Sequence, residues 1–120
     1  MKTRFDVPGV WITACGEVLT LADMTTAHLI NTARMLVTKP SRTMSILISD
    51  IEKAAFSDAV WTPFKADNKK QSIKNVTSMS AEALVEYVRG TPLFQSILAE
   101  LTERGVDTDN LMSLFSDPNF

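Results

Sequence analysis

Apolar residues along this chain change period near residue 24. Val10-Trp11-Ile12-Thr13 and Val18-Leu19-Thr20-Leu21 are rich in β-branched and aromatic residues, and Ala14-Cys15-Gly16-Glu17 links them. Two such runs joined by a short glycine-containing link predict a β-hairpin over 10–21, because glycine enters positive φ without steric cost. An isolated hairpin is marginal in water, so these strands need a helical layer or another chain to rest on.

Helical spacing then takes over. Leu29, Ile30, Ala33, Leu36 and Val37 form a stripe behind the N-cap candidates Asp23, Thr25 and Thr26, predicting a helix over about 25–39 that stops before Pro40. Ala27, Asn31, Arg34 and Thr38 fall on a different face of it. Met44, Leu47, Ile48, Ile51 and Ala55 predict a second helix over about 42–60, with Ser41 as its cap. Apolar density then falls. Lys65–Lys74 holds four lysines against one aspartate, and 62–79 reads as an exposed lysine-rich loop.

The C-terminal part is punctuated clearly. Ser80 caps a helix over 80–89 that Gly90 ends, and Thr91-Pro92 opens another over 92–104, stopped by Gly105. A last helix over 109–115 is expected to dock through Leu111, Leu114 and Phe115. The expected fold class is α+β, mostly α: one N-terminal β-hairpin and four or five short helices. At 120 residues, 45% apolar and 22% charged, the chain has globular proportions and the length of a single domain, 1–120.

Charge and residue inventory narrow the function. A net charge of −2 and a pI near 5.3 argue against a general duplex-binding protein. No apolar run approaches the length of a membrane span, and the first residues lack the apolar stretch of a secretory signal, so a cytoplasmic protein is expected. One cysteine and one histidine cannot build a His/Cys metal site in a single copy. Cys15 and His28 lack any sequence device that brings nucleophile and base together. Asp50 and Glu52, two apart on a helix, point to different faces, and Glu100 and Glu103 read as solvated. There is no P-loop, no EF-hand spacing and no G-x-G-x-x-G. Neither an enzyme nor a resident cofactor or metal is expected.

Binding is better supplied. The forked guanidinium of arginine matches phosphate geometry, and an aromatic plate matches a nucleobase. Arg34 shares a helix face with Asn31, whose amide suits ribose or base edges. Trp61 and Phe94 are the aromatic candidates, although both residue types belong more often to a core. From Glu100 onward five acids stand against one arginine, a charge opposite in sign to that of the lysine-rich segment.

Two stretches together resemble a known group. Trp11-x4-Gly16-x7-Met24-x3-His28-Leu29-x-Asn31-x2-Arg34 and Pro92-x-Phe94-x5-Glu100-Leu101-x2-Arg104-Gly105 resemble small bacteriophage and prophage proteins with a Trp-bearing hairpin and a His-Leu-x-Asn helix. In length and order of parts the chain is similar to the phage anti-Thoeris sponges, the first Thoeris anti-defence family. The resemblance covers about 40 residues at the two ends. It implies a non-catalytic homo-oligomer in the host bacterial cytoplasm that sequesters a cyclic ADP-ribose-type or cyclic-nucleotide immune signal. Carried onto this chain, it places phosphate contacts at Arg34 and Arg104. Only one arginine stands near the C-terminal end, so neighbouring copies would have to pool theirs in a shared pocket. The alternative is a phage inhibitor that binds a host defence protein directly, using the acidic C-terminal segment to mimic nucleic-acid charge.

Overall fold

The computed structural model of the chain describes residues 3–13, 16–57, 71 and 73–115. It is α+β and mostly helical: an N-terminal antiparallel hairpin followed by helices.

A 3-10 turn, Arg4–Asp6, comes first and inserts Phe5 fully into the core. Strands β1 (Val10–Ile12) and β2 (Val18–Thr20) pair with Trp11 opposite Leu19. Gly16, at φ +84°, donates its N–H to the Thr13 carbonyl at 2.9 Å, a backbone conformation that suits glycine. Trp11 is buried, whereas Val18 on β2 is 62% exposed, so the hairpin lays one face on the helices. A second 3-10 turn, Leu21–Asp23, leads into α1.

Helix α1 (Thr26–Thr38) is capped by Thr25, whose hydroxyl accepts from the His28 N–H at 3.1 Å. Leu29, Ala33 and Leu36 are buried and Ile30 and Val37 pack beside them, matching the expected stripe. Helix α2 (Pro40–Ser57) begins two residues before the expected 42. Lys39 leaves the helical region, at φ −124° and ψ 71°, and Pro40 takes the first helical position, where its missing N–H has no helical partner to lose. Thr43 locks this joint. Fully buried, it donates to the Leu36 carbonyl at 3.0 Å and to that of Lys39 at 3.2 Å. The expected extension of α2 to residue 60 lies partly outside the described residues, as do Cys15 and most of the lysine-rich segment.

Part of the expected loop over 62–79 is helical instead. Residues 71 and 73–77 form α3, with the Gln71 amide donating to Asn75 one turn on at 2.9 Å. Ile73, Val76 and Met79 recur at helical spacing and pack against the core, an amphipathic signal masked by the surrounding lysines.

Helix α4 (Ala81–Arg89) is capped by Ser80 and buries Leu84 and Val88. Helix α5 (Pro92–Glu103) starts with Thr91 capping the Phe94 N–H and Pro92 in the first turn. It buries Leu93, Phe94, Ile97 and Leu101, more large apolar side chains than any other helix among the described residues. A Schellman motif ends it. Gly105, at φ +84°, donates to the Thr102 carbonyl and Val106 to that of Leu101, each at 3.0 Å. Helix α6 (Thr108–Phe115) docks through Leu111 and Phe115, but Leu114 is 38% exposed and does not join them. Helices α1, α2, α4, α5 and α6 enclose the core, and the first 3-10 turn is wedged between α2 and α5.

Candidate functional site

Helix α1 is covered on one side by α2, α4, α5 and α6. Its remaining face exposes Ala27, Asn31, Arg34 and Thr38, one turn apart in succession. Asn31 and Arg34 are therefore presented together: an amide and a guanidinium whose backbone is fixed by the buried side of the same helix. That pairing is what the helical spacing implies.

Arg104 is placed differently. From the C-terminal cap of α5 its Nε donates to Glu100 Oε1 at 3.0 Å and its Nη1 to Thr26 Oγ1 at 3.1 Å. Its Nη2 donates to the carbonyls of Leu21 and Ala22 at 3.2 and 3.1 Å. Each guanidinium nitrogen thus holds an internal acceptor, and the side chain ties α5 to the turn between β2 and α1. The phosphate role expected for Arg104 gives way to this clamp. The i, i+4 spacing of Glu100 and Arg104 on a helix is the sequence signal for part of it. Arg104 touches the first residue of α1, whereas Arg34 lies eight residues on, about 12 Å further along the axis. The two arginines are thus set about two turns apart along α1.

Phe94 is fully buried and exposes no ring face for stacking. It stands in the apolar stripe of α5 with Leu93, Ile97 and Leu101, and that stripe is the stronger signal. Trp61 lies outside the described residues.

Arg4 forms a second clamp that local pattern does not reveal. Its Nε and Nη2 grip both oxygens of Asp50 at 2.9 Å, and its backbone N–H reaches the same carboxylate at 3.0 Å. The Nη1 donates to the Ile12 carbonyl at 2.6 Å, and the guanidinium lies 5.5 Å from the Trp11 ring centroid. Asp50 is thereby a structural acceptor, and Glu52, exposed on another face of α2, shares nothing with it.

Among the described residues, clefts open between elements. One of about 260 Å³ lies between the Arg4–Asp6 turn, α2, α3 and α4, with Asp6 and Tyr87 among its walls. Another is lined by Ser96, Glu100 and Glu103 of α5 against Gly9 and Thr20–Ala22. Both carry carboxylates and neither is lined by an arginine, so neither invites a phosphate. Among the described residues no three His, Cys, Asp or Glu side chains gather to hold a metal ion, and no helix is long and apolar enough to cross a membrane. No family model, curated protein or solved structure matches the chain.

Proposed function

We propose that this chain is a non-catalytic phage counter-defence protein that binds and sequesters a nucleotide-derived immune signal, of the cyclic ADP-ribose or cyclic-nucleotide type, in the host bacterial cytoplasm. The observation that carries the proposal is the shared exposure of Asn31 and Arg34 on α1. A guanidinium grips phosphate oxygens through parallel N–H donors, and an amide one turn away offers a donor and an acceptor to ribose or base. With Arg104 engaged internally, the second phosphate contact comes from Arg34 of a neighbouring copy in a homo-oligomer. Two such charge-assisted contacts contribute roughly 1.5–3 kcal/mol each, and the amide and the remainder of a pocket between copies supply the rest of the affinity that trapping without a chemical step requires.

The test incubates the purified protein with cyclic ADP-ribose isomers and cyclic dinucleotides, isolates the complex, denatures it by heat and identifies the released molecule. Release of intact ligand is expected. Recovery of a cleaved product makes the protein an enzyme, and retention of none of these molecules dismisses the proposal.

A second reading, an inhibitor that docks on a host defence protein, draws on the exposed acids Glu103, Asp107 and Asp109 around the turn from α5 to α6. One stoichiometric host protein captured equally by unaltered protein and by Arg34→Ala favours it over ligand trapping.

A further inference from the structure

The cleft between the Arg4–Asp6 turn and helices α2, α3 and α4 has a chemistry of its own, independent of the α1 face. Its floor is apolar: Leu47 and Ile51 are almost fully buried, and Val76 and Met79 flank them. Asp6 and Tyr87 add a carboxylate and a phenol to its lining.

The carboxylate keeps acceptor capacity. One oxygen, Oδ2, accepts from the Thr3 N–H at 3.0 Å and the Thr3 hydroxyl at 3.4 Å. Arg4, two residues away, is already engaged with Asp50 and the Ile12 carbonyl, and among the described residues no lysine or arginine pairs with Asp6. Tyr87 is 42% exposed, so part of its ring remains accessible. Its phenol pKa is raised above 10.0 by burial and then by the Asp6 charge, so it is a neutral hydrogen-bonding group at physiological pH.

We propose that this cleft binds an aliphatic ammonium group, its alkyl stem on Leu47, Ile51, Val76 and Met79 and its charged head between the Asp6 carboxylate and the Tyr87 ring. An anion is repelled by Asp6, and a purely apolar guest offers that carboxylate no hydrogen-bond donor. An alkyl chain ending in a cation satisfies both, because such chains lie along apolar surface with the head at its edge. Tyrosine adds attraction through its ring face. The volume, about 260 Å³, suits a chain of lysine length rather than a larger ligand. The shared chemistry covers a free aliphatic amine and the lysine side chain of a partner.

Methyl-resolved NMR of the full chain tests this, with n-pentylammonium and 1-pentanol titrated in parallel. Pentylammonium is expected to shift the methyls of Leu47, Ile51, Val76 and Met79 at roughly fivefold lower concentration than pentanol. Asp6→Asn should bring the two titrations together, and Met79→Trp, which fills the cleft, should abolish both. Nα-acetyl-lysine methylamide separates the sources. Shifts at a concentration similar to that of pentylammonium assign the cleft to a partner's lysine; their absence assigns it to free amines. Equal concentrations for pentylammonium and pentanol on the unaltered protein, or shifts scattered beyond these four residues, overturn the proposal whatever the variants do.

Discussion

Helix α5 and the N-terminal hairpin are held in place by different physics. Helix α5 buries four large apolar side chains and carries its start and stop signals in its own sequence, Thr91-Pro92 at one end and Gly105 at the other. The hairpin buries Trp11 and little else, and its position is fixed from outside by two arginines. Arg4 pins the end of β1 to α2, and Arg104 pins the turn after β2 to α5. An element with a poor apolar face is thus located by charge-assisted hydrogen bonds to backbone carbonyls. The lesson bears directly on function. Of five arginines in the chain, two are committed to this clamping, so arginine count overstates the capacity to bind phosphate.

Breaking the apolar side of this comparison should have the largest effect. Phe94→Ala leaves a cavity at a fully buried site and should lower unfolding free energy by about 3–5 kcal/mol in a urea titration. Loss of that size is a large part of the total margin of a small domain. The clamp should cost less. Arg4→Ala leaves the Asp50 carboxylate, only 10% exposed, without its counter-charge, and about 2–3 kcal/mol is expected. Arg4→Ala combined with Asp50→Ala should cost less than the two single losses added, because the second removes the uncompensated charge.

The smallest effect is one of pH. Burial and the Asp6 charge raise the Tyr87 pKa in the folded state above its ordinary value of 10.0. The folded protein therefore holds that proton more tightly than the unfolded chain does. Its contribution to stability is complete below pH 10 and declines as pH rises through the folded-state pKa. Tyr87 is the sole tyrosine, so its ionisation can be followed directly by ultraviolet absorbance. Tyr87→Phe should remove that part of the alkaline decline; an unchanged slope contradicts the assignment.

What could be read from the sequence divides along the same line. The hairpin, the two faces of α1 and the punctuation around α4 and α5 are local matters of period, caps and glycine, and they were legible. The start of α2 was displaced because Ser41 looked like a cap while Pro40 took the first helical position itself. Helix α3 was hidden because four lysines between 65 and 74 outweighed the spacing of Ile73, Val76 and Met79. Leu114 has the spacing of a docking residue, yet a helix as short as α6 covers only Leu111 and Phe115 fully. The shared exposed face of Asn31 and Arg34 was legible because it is local, a matter of helical spacing. The roles of Arg104 and Arg4 were not, because their acceptors lie about 80 and 46 residues away in the chain. Phe94 carried two readings, plate and core, and the stripe around it decides for the core.

Parallel calorimetric titrations of Arg34→Ala and Arg104→Ala with the cyclic nucleotide that the proposed function calls for, each paired with a thermal melt, test the division between holding and binding most directly. Arg34→Ala should weaken binding at least about tenfold and lower the melting temperature less than Arg104→Ala does, because Arg34 stands exposed on α1 whereas Arg104 ties α5 to the turn before α1. Arg104→Ala should lower the melting temperature and keep the affinity of the protein that remains folded. Unchanged binding in Arg34→Ala, or binding abolished in a fully folded Arg104→Ala, contradicts the account.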